Sequence, residues 1–122
     1  MAAVLIVDDE PNLLSTLAII LEHHGYEVAT CSEVTSALPL IAARRFDALL
    51  ADLGMPQNGF TVVEAMRRRC PQSLIILITG RVGALEELPP ERRKLVDEAM
   101  YKPTDIPHLL QTLARGLAGR RS

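Results

Sequence analysis

The chain has 122 residues, 48% of them hydrophobic, with a formal net charge of −2. That length suits one domain with a packed core, and that composition excludes a disordered chain. An aromatic fraction of 3%, with no tryptophan, leaves too few rings for a platform that stacks on single-stranded nucleic acid.

The basic runs Arg67-Arg68-Arg69 and Arg92-Arg93-Lys94 fall on predicted helices and read as solvated faces, so no direct nucleic-acid binding is expected. Cys31 and Cys70 lack metal-ligand spacing and read as reduced structural thiols. No signal peptide is visible, and no apolar stretch reaches the ~18 residues of a membrane span. The expectation is a soluble, cytoplasmic protein without membrane insertion.

Along the chain, short apolar runs alternate with segments of helical period. Ala3 to Val7 reads as a buried strand that stops at Asp8-Asp9-Glu10. Pro11 suits the first turn of a helix, where its missing N–H costs nothing, and Leu13, Leu14, Leu17, Ile20 and Leu21 form that helix's apolar face. Gly25 ends it, and Glu27 to Cys31 reads as a second strand. Ser32 or Ser36 is the expected cap of a second helix through Ala37, Leu38, Ile41 and Ala42, with Pro39 blurring its start. Phe46 to Ala51 is a third strand running into Asp52, followed by a turn to Gly59 and a helix marked by Val62, Val63 and Met66.

Leu74 to Ile78 is apolar on both faces, as central parallel strands are, and ends on Thr79-Gly80. Arg81 to Asp97 is the least regular stretch, with Pro90 suited to open a short helix through Arg92, Leu95 and Val96. Glu98 to Tyr101 is a short fifth strand ending on Lys102-Pro103. Thr104 or Asp105 caps a last helix carrying Ile106, Leu109, Leu110, Leu113 and Leu117.

Strands alternating with helices imply an α/β fold with a parallel sheet covered on both faces by right-handed crossovers. Ligands of such sheets bind beyond the carboxyl ends of the strands. Those ends carry Asp8-Asp9, Asp52, Thr79 and Lys102 here. Carboxylates gathered at one point repel by about 4 kcal/mol per pair at ~4 Å and an effective dielectric of ~20. A hard cation with oxygen ligands, Mg²⁺ above all, relieves that repulsion and leaves room for phosphate oxygens. Lys102 adds a fixed positive charge and Thr79 a hydroxyl donor. A carboxylate nucleophile beside a cation, a lysine and a hydroxyl is the equipment for an aspartyl phosphate. Asp52, alone on the middle strand, is the best candidate acceptor.

The stretches Val4-Leu5-Ile6-Val7-Asp8-Asp9-Glu10, Asp52-Leu53-Gly54-Met55-Pro56, Thr79-Gly80 and Lys102-Pro103 together resemble the receiver domain of two-component response regulators, over essentially the whole chain. The resemblance implies a flavodoxin-like, doubly wound five-stranded parallel sheet in the order 2-1-3-4-5, one receiver domain over residues 1–122 and no effector domain in the chain. It implies a signalling domain rather than an enzyme, with Asp52 taking phosphate from a phosphohistidine of a sensor histidine kinase or histidine phosphotransfer protein. Asp9, Asp52 and the Gly54 carbonyl would bind Mg²⁺, with Mn²⁺ as a substitute, and Asp8 would act through water. Thr79 would turn toward the phosphate and Lys102 would pair with it. The resemblance also suggests a cis bond before Pro103. The family's usual aromatic, three positions before the lysine, is replaced here by Ala99, and Tyr101 on the same strand face is the displaced counterpart to weigh. Residues flanking the water path to the phosphate would be Gly54 and Arg81, the latter long enough to reach across it.

Other functions fit less well. A haloacid-dehalogenase-like phosphatase would place D-x-D after the first strand, where Asp8-Asp9-Glu10 stands. A flavodoxin-like FMN binder would need a Ser/Thr/Gly-rich loop there, and Asp-Asp-Glu-Pro repels phosphate. A receiver-like module that binds partners without phosphorylation is opposed by the intact set Asp8, Asp9, Asp52, Thr79 and Lys102.

Overall fold

The computed structural model describes residues 1–55 and 58–119. Its strands are β1 (Ala3–Val7), β2 (Glu27–Cys31), β3 (Ala48–Asp52), β4 (Leu74–Thr79) and β5 (Glu98–Tyr101). Between and after them lie α1 (Pro11–His23), α2 (Val34–Ala43), α3 (Phe60–Arg69), α4 (Pro90–Arg93) and α5 (Ile106–Ala118). The strands form one five-stranded sheet in the order β2-β1-β3-β4-β5, every pair parallel, which is the expected doubly wound topology.

Strand alternation divides the core into two layers. Leu5, Val7, Leu49, Ala51, Ile75 and Leu77 pack on one face with Val34, Ala37 and Ile41 of α2 and Phe60, Val63 and Met66 of α3. Val4, Ile6, Leu50, Ile76 and Ile78 pack on the other with Leu14, Leu17 and Leu21 of α1 and Leu109 and Leu113 of α5. This is why β1, β3 and β4 read as unbroken apolar runs: each of their residues is buried. Gly116 belongs to the same packing, because a Cβ there would come within 2.6 Å of the Leu74 side chain.

Several local expectations change. The third and fourth strands each extend onto their polar terminal residue, so Asp52 and Thr79 are themselves ladder positions. Neither Ser32 nor Ser36 caps α2; Glu33 occupies the N-cap without a side-chain bond to the helix N–H groups, its carboxylate accepting from the Thr35 hydroxyl instead, and Pro39 lies inside the helix. α4 is a single turn ending at Arg93, with Leu95 and Val96 beyond it, held by N–H bonds to the Arg92 and Arg93 carbonyls. Asp105, rather than Thr104, caps α5 by accepting from the His108 N–H. Both cysteines are free and buried, as expected of structural thiols. Pro56 and Gln57 of the predicted turn, and the terminal Arg120-Arg121-Ser122, lie outside the described residues.

The first basic run is only partly a solvated face. Arg67 reaches under the sheet to donate to the carbonyls of Leu95, Pro71 and Ser73 and to Asp97 Oδ2 at 3.0 Å. Arg92 of the second run lies over the Phe60 ring at 5.1 Å, and Arg93 donates to the Leu85 carbonyl. Their charges serve the packing of α3 and α4.

Candidate functional site

Continuation of the ladders past the strand ends brings the polar residues together. Asp8 N–H donates to the Cys31 carbonyl, Leu53 N–H to Ile78 and Lys102 N–H to Thr79. The peptide between Lys102 and Pro103 is cis, in agreement with the expectation. Gly59, just before α3, lies against the end of β3: a Cβ there would stand 2.6 Å from the Asp52 carbonyl oxygen, so this position demands glycine. Asn58 Oδ1 accepts from Phe60 N–H beside it, which starts α3 without a side-chain cap from Gly59 itself.

Asp8 and Asp52 are buried, Thr79 is fully buried and Asp9 is exposed. Asp8, Asp9 and Asp52 each offer a carboxylate oxygen, and these atoms lie within 4.8 Å of one another. Lys102 Nζ sits 3.0 Å from Asp8 Oδ2, 3.3 Å from Asp52 Oδ2 and 2.6 Å from Glu10 Oε1. The other Asp52 oxygen, Oδ1, accepts from Gly54 N–H at 2.8 Å. A Cβ on Gly54 would lie 3.4 Å from Asp52 Oδ1 and 4.0 Å from Thr79 Oγ1, so the Asp52 carboxylate and the Thr79 hydroxyl border the same space, which glycine leaves clear. Thr79 Oγ1 accepts from Arg81 N–H at 3.2 Å, and its own hydrogen can be donated elsewhere.

The electrostatics follow from this crowding. Burial pushes the Asp8 carboxyl above the usual aspartate range, against the lowering effect of the Glu10 N–H and of Lys102, whose charge is shared. Burial also works against the Lys102 ammonium, but hydrogen bonds to Glu10 and Asp8 and the charges of Asp8 and Asp52 outweigh it and hold Lys102 above its ordinary range. Three close carboxylates that give oxygen ligands only, one of them exposed, suit a hard divalent cation with retained waters.

Sequence reasoning named Asp8, Asp9, Asp52, Gly54, Thr79 and Lys102, and these residues meet at one edge of the sheet. It passed over Glu10, although the run Asp8-Asp9-Glu10 carried the signal. Arg81 departs from its expected reach across the phosphate, since its guanidinium pairs with Glu87 at 2.9 Å. Tyr101 is anchored too: its hydroxyl accepts from the N–H groups of Gly83 and Leu85 at 3.1 and 3.3 Å and donates to the Glu86 carboxylate. Glu86 pushes the Tyr101 hydroxyl above its ordinary pKa. This one ring therefore ties β5, next to Lys102, to the loop that follows Thr79.

The model of the response regulator receiver domain family matches residues 4–114. The chain is similar to a response regulator receiver protein of Anaeromyxobacter sp., with 38% identity over 87% of this chain and 44% of that protein. The chain thus spans less than half the length of that relative. It is also similar to protein PilH of Pseudomonas aeruginosa, 31% identical over 98% of this chain and all of that one. Among solved structures, response regulator TrrA of Thermotoga maritima, in complex with Mg²⁺-BeF, superimposes with a TM-score of 0.83, 27% identity and coverage of 95% of this chain and 99% of that one.

Proposed function

This chain belongs to the response regulator receiver domain family, and on that premise we propose that Asp52 accepts a phosphoryl group from a phosphohistidine of a sensor histidine kinase or histidine phosphotransfer protein. An Asp52 carboxylate oxygen forms the new bond to phosphorus while the P–N bond of the donor breaks and the imidazole departs with the donor. The observation that carries this reading is the convergence of the Asp8, Asp9 and Asp52 carboxylates within 4.8 Å, with the Lys102 ammonium against Asp8 and Asp52 and the Thr79 hydroxyl bordering the same space.

Each side chain has a share in the reaction. Lys102 offsets charge on a transferred phosphoryl oxygen, and Thr79 donates its hydroxyl hydrogen to another. Asp9, Asp52 and the Gly54 carbonyl would hold Mg²⁺, or Mn²⁺ as a substitute, and the ion when bound would supply neutralisation of phosphoryl charge. Asp8, which holds the Glu10 N–H and the Lys102 ammonium, would act on the ion through water. The chain works as a signalling domain in the cytoplasm that also supports its own dephosphorylation. No helix among the described residues is long and apolar enough to cross a membrane.

Incubation with acetyl phosphate and Mg²⁺ is expected to add one alkali-labile phosphoryl group, absent in Asp52→Asn. Labelling that survives this substitution would move the nucleophile elsewhere. Asp9→Ala is expected to lose Mg²⁺ binding and phosphorylation together, and wild-type Mg²⁺ affinity in a titration of that variant would remove Asp9 from the ligand set.

A further inference from the structure

Lys102 has no donor to spare. An ammonium carries three N–H groups, and its Nζ already faces Glu10 Oε1 at 2.6 Å, Asp8 Oδ2 at 3.0 Å and Asp52 Oδ2 at 3.3 Å. When Asp52 carries a phosphoryl group its own charge has passed to the phosphoryl oxygens, which take over that contact, and a second donor reaches them only if Asp8 or Glu10 lets go. Asp8 has a side chain only 4% exposed, and a buried carboxylate left without its partner is costly. Glu10 has a side chain 59% exposed, so water can take over its hydrogen bonding with little loss. The shortest contact of the three is the one most easily surrendered.

The backbone makes this reach possible. Glu10 occupies the N-cap of α1 in an extended conformation, with its N–H on Asp8 Oδ1 at 2.9 Å and no side-chain bond to its own helix. Short side chains at an N-cap fold back onto the helix N–H groups. The longer glutamate crosses to Lys102 on the far side of the site instead.

We propose that Glu10 is a positioning residue for phosphoryl transfer: it holds the Lys102 ammonium in the unphosphorylated protein and yields it to a phosphoryl oxygen, so this ion pair tunes how tightly the site holds the phosphoryl group. The inference rests on the reading of Asp52 as acceptor. Only a hydrogen bond is exchanged, Nζ to Glu10 for Nζ to phosphoryl oxygen, with no proton lost.

Titration of the full chain with beryllofluoride, a phosphoryl mimic, at saturating Mg²⁺ tests it. Glu10→Gln keeps the length and removes the charge. Glu10→Asp keeps the charge but falls short of Nζ, and aspartate at an N-cap turns toward its own helix. Both variants are expected to bind the mimic about two- to fivefold more tightly, the scale of one exposed ion pair. If Glu10→Gln tightens binding while Glu10→Asp matches wild type, Glu10 acts only as a general negative charge and the handover is wrong. Wild-type affinity in both variants overturns it as well. Failure of the wild-type chain to bind the mimic would instead overturn the acceptor reading on which the inference stands.

Discussion

The two ends of the sheet treat acidic residues in opposite ways. At the amino end, Asp47 Oδ2 accepts from Ala3 N–H at 2.7 Å, and Asp97 Oδ2 accepts from Ile75 N–H at 2.8 Å and from Arg67 at 3.0 Å. Each carboxylate there closes the start of a strand and is answered by groups of the chain itself. At the carboxyl end, Asp8, Asp52 and Glu10 share the ammonium of Lys102, and Asp9 adds a further carboxylate beside Asp8 and Asp52. The first arrangement stabilises the fold. The second leaves negative charge in excess, which the proposed receipt of a cation would relieve.

Arg67→Ala should break the amino end most severely. It deprives the carbonyls of Leu95, Pro71 and Ser73 of a charged donor and takes the guanidinium from Asp97. Because the Arg67 side chain is still 21% exposed, water compensates in part, and a loss of roughly 2–3 kcal/mol is expected in urea unfolding. Phosphorylation by acetyl phosphate should continue below the melting temperature, since the carboxyl end is untouched. A variant as stable as wild type would show that the Arg67 contacts at the amino end of the sheet do not stabilise the fold.

Asp8→Asn should have the opposite sign. A carboxyl raised in the folded state from its ordinary 3.8 stabilises the fold when protonated. That stability is complete below the ordinary value and is lost as pH rises through the folded one. Ionised Asp8 is thus a net cost at neutral pH, and the neutral isostere is expected to melt higher than wild type in metal-free buffer at pH 7. The advantage should shrink as the pH is lowered through the carboxylate range. A lower melting temperature at pH 7 would mean that Asp8 is matched by Lys102 as fully as Asp97 is by Arg67.

Tyr101→Phe should have the smallest global effect, because the ring stays and only the hydroxyl is lost. It removes the acceptor shared by the Gly83 and Leu85 N–H groups and the donor to Glu86. Faster amide exchange is expected within residues 81–88, with the rest of the sheet unchanged. Unaltered exchange there would show that the loop after Thr79 is held by other contacts, such as Arg93 on the Leu85 carbonyl.

The layout of the sheet and its polar edge were legible because apolar runs end abruptly on Asp8, Asp52, Thr79 and Lys102, and parallel topology places all such ends together. What stayed hidden depends on side-chain reach. Arg67 reads as one more charge on a basic helix turn, and only the folded chain shows its guanidinium enclosed by carbonyls from two other segments. Glu10 reads as an acidic helix start, and its partner lies 92 residues away. The α2 start was misjudged because serine propensity at Ser32 and Ser36 competed with a backbone that places Glu33 at the N-cap. Tyr101 was placed on the same face as Ala99, but its hydroxyl bonds depend on the loop's path, which local pattern does not encode.

The identity of the acceptor is the central claim, and reduction of the phosphorylated chain with borohydride tests it most directly. An aspartyl phosphate is reduced to homoserine, and peptide mass spectrometry locates that residue. Homoserine at position 52 alone is the expected result. Homoserine at position 8 or 9, or none in a chain that carries the added phosphoryl mass, would contradict the account.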